Sequence, residues 1–143
     1  MENRTEKRIR WSSFSTTPEE LLLKADEYRK HAYVPYSQFP VGAALLMDDG
    51  CIIGGCNVEN GSFGLTICAE RSAMVAAVAA GKKKPLAVAV TGKDGVFCSL
   101  CGACRQFLSE FNPSMDIVLW NEGEIEIYSL SELLPWQFSF KGV

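Results

Sequence analysis

Two short stretches constrain this chain more than any other feature: TICAERSA at 66–73 and CSLCGACRQF at 98–107, which together hold four of its six cysteines. Each sits where a turn runs into a stretch with helical character. Cys101 and Cys104, at i and i+3, put two sulfurs on one side of a first helical turn, close enough to share a small ion. No run of 18 apolar residues occurs, and the start MENRTEKRIRWSSFSTT has no hydrophobic region of a secretory signal. A reducing, cytoplasmic setting is therefore expected, in which clustered cysteines point to metal or redox chemistry rather than to structural bridges.

Two thiolates do not complete a tetrahedral zinc site. The single histidine, His31, lies among polar residues at the end of the first expected helix and reads as a surface residue. Cys68 is then the third ligand, and three protein ligands leave a fourth position open to water, as in a catalytic zinc site; a structural site is closed by four. Cys98 forms a second Cys-x-x-Cys with Cys101, but its place at the end of an apolar stretch assigns it to packing. Cys51 and Cys56 fall in an expected hairpin, where free cysteine acts as a small hydrophobe. Glu70 cannot serve the same centre as Cys68 from mid-helix, because residues two apart diverge. From a helix start it can, and its role there would be to accept a proton from an activated water. The alternative for Glu70 is a plain first-turn carboxylate that favours the helix dipole. Arg71 and Arg105, three and four residues after Cys68 and Cys101, are expected to donate to the thiolates.

The net charge of −3 offers no general attraction to a polyanion. The lysines of GKKK at 81–84 complement the negative end of a helix, and the glycine before them ends it. Arg4, Lys7, Arg8 and Arg10 share a segment with Glu2 and Glu6, which reads as a flexible arm over 1–17 ahead of a single domain over 18–143. Neither a nucleic acid nor a membrane is expected as partner.

TTPEELLLKADEYRKHA carries a threonine cap, a proline and apolar residues at helical spacing. VGAALLMDDGCIIGGCNVEN reads as a hairpin about Asp-Asp-Gly. Next come a helix over 68–80, apolar all round and so expected to be buried, a strand in PLAVAVTG, a helix over 101–111, strands in DIVLW and EIEIYSL, and a short helix in SELLP. The order predicts an α/β fold: a three-layer αβα sandwich with a mixed sheet of about five strands. In such sheets ligands gather at strand-to-helix turns, and both cysteine clusters sit at such turns.

TICAERSA, CSLCGACRQFLSEF, YVPYSQFPVGAALL, GGCNVENGSFGLT and SELLPWQF together closely resemble, in order over about residues 20–138, the short tetrameric cytidine deaminases of pyrimidine salvage. The resemblance implies one zinc per subunit on Cys68, Cys101 and Cys104, and Glu70 as proton shuttle in the hydrolysis of cytidine and 2'-deoxycytidine to uridine and 2'-deoxyuridine with release of ammonia. It implies that Asn57 and Glu59 hold the ribose hydroxyls, that Phe39 packs against sugar and base, and that the Ala69 amide and Ser99 carbonyl read the base edge. It further implies a homotetramer whose neighbouring subunits complete each site, with Phe138 stacking on the base and Phe63 near the sugar. One departure stands out: Leu100 occupies the position before the second cysteine pair where the family usually has proline. Deamination of a modified nucleoside or a polynucleotide, and a structural zinc or redox module, are the competing readings.

Overall fold

The computed structural model describes residues 9–140. The basic residues Arg4, Lys7 and Arg8 lie outside the described residues, as do 141–143. Helix α1 (Pro18–Arg29) starts as the sequence predicts: the Thr17 hydroxyl accepts from the Glu20 N–H, the Glu20 carboxylate accepts from the Thr17 N–H, and Pro18 occupies the first turn. Strands β1 (Gly42–Met47) and β2 (Ile52–Cys56) form the hairpin, and α2 (Ala69–Ala79) follows. After it come β3 (Pro85–Thr91), α3 (Gly102–Ser109), β4 (Asp116–Asn121), β5 (Glu124–Ser129) and the single-turn α4 (Leu130–Leu133).

The five strands lie in the order β2-β1-β3-β4-β5. β3 and β4 are parallel, and the other pairs are antiparallel. Because β1 runs antiparallel to both of its neighbours, β2, β3 and β4 share one direction. β1 is buried along its whole length and its residues alternate between two cores. Ala43, Leu45 and Met47 face α2 and α3 with Ala73, Met74, Cys104 and Leu108. Ala44 and Leu46 face α1 with Leu21, Leu22 and Ala25. The αβα sandwich over a mixed sheet is therefore as expected, and among the described residues no helix is long and apolar enough to cross a membrane.

Two expectations are corrected. The described part of the supposed arm is packed: Trp11–Ser13 form a 3-10 turn, Ile9, Trp11 and Phe14 lie against the α1-side core, and the Trp11 indole N–H donates to Asp116 Oδ2 at 3.0 Å. Three apolar side chains in a polar segment carry no helical or strand period, so nothing in the pattern announces their burial. The all-round apolar α2 is also not buried on every side, since Val75 and Val78 face outward while Ala69, Ala73 and Ala77 face the sheet. A single sheet covers only one face of a helix.

Consecutive glycines in β2 set the distance of both helical layers. A Cβ built on Gly54 would sit inside the Tyr28 ring of α1, and one on Gly55 would lie 2.4 Å from the Ala73 nitrogen and 2.7 Å from the Ala69 oxygen of α2. Alternate strand residues face opposite sides, so the pair admits one helix on each face. Gly55→Ala therefore pushes against the backbone of α2, and we expect it to lower stability by about 1–3 kcal/mol. Equilibrium denaturant unfolding checks this; an unchanged midpoint would show that α2 is not seated on Gly55.

Candidate active site

The strand directions bring the two cysteine clusters together. α2 follows β2 and α3 follows β3, and because those strands are co-directional, both helices begin at the same end of the sheet, on the same face. Cys68 is the N-cap of α2 and Cys101 the N-cap of α3, both in extended backbone. Neither sulfur caps its own helix. Instead the two turn toward each other, with Sγ atoms 3.9 Å apart, and Cys104 joins them from the first turn of α3, all three lying within 4.8 Å of one another.

The donor set fits zinc. Three thiolates at the Zn–S distance of about 2.3 Å, on a tetrahedron, have edges of about 3.8 Å, close to the 3.9 Å between Cys68 and Cys101. Cys98 is not part of the cluster: it packs half-buried against the α2–α3 core, where burial pushes its thiol up to about 11. His31 is exposed, and Cys51 and Cys56 lie on β2 or its approach. Among the described residues three thiols are thus placed where they could hold one ion.

Glu70, in the first turn of α2, is 4% exposed. Burial pushes its carboxyl above the ordinary carboxylate range, against the lowering effect of the neighbouring Cys104 thiol and of its own backbone N–H. The Cys68 thiol is drawn down to about 5, first by the Cys104 thiol and then by Arg71, while Cys104 is pushed up by the same pairing. Arg71 Nη2 donates to Cys68 Sγ and to the Thr66 carbonyl, both at 3.4 Å.

Arg105 departs from expectation, since none of its partners is a thiolate. Its Nε donates to the Leu100 carbonyl at 2.9 Å, Nη1 to the Leu133 carbonyl at 2.7 Å and Nη2 to the Ser99 hydroxyl at 3.2 Å. Cys101 stands at the N-cap, so its sulfur leaves the end of the helix instead of lying on the face that Arg105 shares.

Of the residues named for the sugar, Glu59 and Phe63 line a pocket of about 330 Å³ together with Tyr36, Ser37 and Thr66, whereas Asn57 and Phe39 are not among its lining residues. Glu59 Oε1 accepts from the Tyr36 and Ser37 N–H groups at 3.0 and 3.1 Å, and hydrogen bonding, foremost from the Ser37 side chain, holds its carboxyl below the usual range. Asn57 clamps the same loop, accepting from the Val41 N–H and donating to the Phe39 carbonyl, each at 2.9 Å. It retains one N–H and one lone pair. The Phe39 ring is half-buried near Gly92, and Ala69 is fully buried at the first position of α2. Phe63 stands edge-on to Tyr36 with ring centroids 5.6 Å apart. Phe138 is 70% exposed and does not line this pocket within one chain. Tyr36, Ser37 and Thr66 had no signal in the residue pattern, because each comes to the pocket through loop geometry.

If the centre is held as described, Cys98→Ser leaves one metal ion per chain, whereas loss of the metal would mean a fourth thiolate. Arg71→Gln is expected to keep the fold and to weaken zinc about tenfold in chelator competition; unchanged affinity would remove Arg71 from the centre.

Residues 15–120 match the family model of the cytidine and deoxycytidylate deaminase zinc-binding region. The chain is 48% identical over 123 residues to a cytidine deaminase of Sporosarcina psychrophila, covering 85% of this chain and 90% of that one. It is 46% identical over 121 residues to that of Halalkalibacterium halodurans, covering 83% and 92%. The crystal structure of the cytidine deaminase from Burkholderia pseudomallei superposes with a TM-score of 0.81 at 44% identity, covering 86% of this chain and all of that one. This chain belongs to the cytidine and deoxycytidylate deaminase family.

Proposed function

We infer that the chain is a zinc-dependent cytidine deaminase, hydrolysing cytidine and 2'-deoxycytidine to uridine and 2'-deoxyuridine with release of ammonia. The observation that carries this reading is a buried glutamate, Glu70, beside three thiols that converge from two helix starts. The relatives and structural neighbours named as cytidine deaminases support it.

Cys68, Cys101 and Cys104 would hold the zinc, which would supply Lewis-acid activation of water, a chemistry that can lower water's pKa from about 15.7 towards about 7. The proton work falls to Glu70, which takes a proton from water, gives it to the ring nitrogen beside C4 and passes a proton to the departing ammonia. Burial suits a carboxyl for this task, because an acid–base group works best with a pKa raised toward the working pH. Burial also excludes bulk water, so the proton goes where the side chain delivers it.

The free N–H of Asn57 and the second oxygen of Glu59 are available to a diol, with Phe39 and Phe63 against the sugar. The Ala69 amide and the Ser99 carbonyl take the base edge. Phe63, Trp136 and Phe138 are 73%, 92% and 70% exposed, and Val75 and Val78 of α2 are uncovered. Apolar surface of this kind is buried in an assembly. In this reading the assembly is a homotetramer in the cytoplasm, residues 18–143 form the catalytic domain, and Phe138 reaches the base of a neighbouring copy. The net charge of −3 speaks against polynucleotide substrates.

Purified chain should release ammonia from cytidine, and Glu70→Gln should retain zinc while kcat falls by about 10²–10⁴-fold. A variant that keeps wild-type turnover would remove Glu70 from the chemistry. Dilution into monomers should preserve zinc and abolish turnover, whereas a fully active monomer would dismiss the shared site.

A further inference from the structure

The turn that delivers Cys101 is held in an unusual way. Among the described residues no backbone–backbone hydrogen bond ties any residue from Phe97 to Leu100. Leu100, lacking a proline ring, does not stiffen the chain by itself either. What fastens the turn is the Arg105 guanidinium, which binds the Leu100 carbonyl and the Ser99 hydroxyl from one planar fork. Its remaining nitrogen binds the Leu133 carbonyl, the last residue of α4. The next residue along α3, Gln106, donates to the Phe138 carbonyl at 3.0 Å. One turn of α3 therefore grips the segment before Cys101 and the C-terminal aromatic segment together.

We propose that Arg105 is a positioning residue for the deamination: it locks the Ser99–Leu100 turn to the end of α4, so that the base-facing backbone and the tail bearing Phe138 take their places as one unit. This rests on the reading above that Ser99 faces the base. It separates the two arginines by task. Arg71 serves a thiolate, and Arg105 serves the walls of the substrate site. The chemistry requires a guanidinium, because three acceptors on two separate segments lie around one side chain and only a rigid fork reaches all of them.

Three enzymes decide it: wild type, Arg105→Gln and Arg105→Lys, each assayed for zinc content, kcat and KM on cytidine, and amide hydrogen exchange over 97–100 and 130–138. In Arg105→Gln, KM is expected to rise about tenfold with a smaller change in kcat. Zinc should remain at one per chain, and exchange should quicken in both segments. Arg105→Lys, which keeps the charge but reaches fewer acceptors, should fall between the two and serves as the readout if the glutamine variant does not fold. Wild-type KM in a folded variant, loss of zinc in step with activity, or exchange that quickens in one segment alone would overturn the proposal. Absence of ammonia release by the wild-type enzyme would instead strike the functional reading itself.

Discussion

Three thiols within 4.8 Å of one another repel as soon as they ionise, and the rest of the architecture follows from making that tolerable. A divalent ion cancels two of three thiolate charges and leaves one. Helix N-termini carry about half a positive charge each, and this chain aims two of them at the cluster. Arg71 adds a full charge at 3.4 Å from Cys68. Two helix starts meet only if their helices leave the same end of the sheet on the same face. The co-directional run of β2, β3 and β4, with β1 inserted antiparallel between β2 and β3, provides that.

The same geometry explains why α2 has so little latitude. It must present Cys68 at its cap and Glu70 in its first turn while lying directly on β2, and Gly55 removes the one side chain that would hold it off. Small residues on its inner face, Ala69, Ala73 and Ala77, keep the approach close. Its outer face, with Val75 and Val78, is left exposed by the described residues, which joins the position of the cysteine cluster to surface available for a neighbour. On the other side of the sheet α1 and the Trp11 segment complete the second core, whereas Cys68 and Cys104 pack with the first.

The metal centre was legible in the sequence because metal chemistry demands particular residue types at short spacings. Cys101 and Cys104 announce a helical turn by their spacing, and Glu70 beside Cys68 makes sense only at a helix start. The hairpin, the α1 cap and the alternation of helix and strand were legible for the same local reason. What depended on distant contacts was not. Arg105 has the right spacing to reach a thiolate, yet three carbonyl and hydroxyl acceptors from 99, 100 and 133 claim it. Trp11 lies in a stretch with the composition of a solvated arm and is placed by an indole bond to a residue 105 positions away. Asn57 and Glu59 spend half of their hydrogen-bonding capacity shaping the 36–41 loop, a dual role no motif displays.

The cysteine cluster is suited to a metal held by three sulfurs with one position left to solvent. Zinc-edge X-ray absorption on the purified chain measures this directly. The expected result is a shell of three sulfurs at about 2.3 Å and one light oxygen or nitrogen scatterer at about 2.0 Å. A shell of four sulfurs, or one dominated by oxygen and nitrogen, would contradict it.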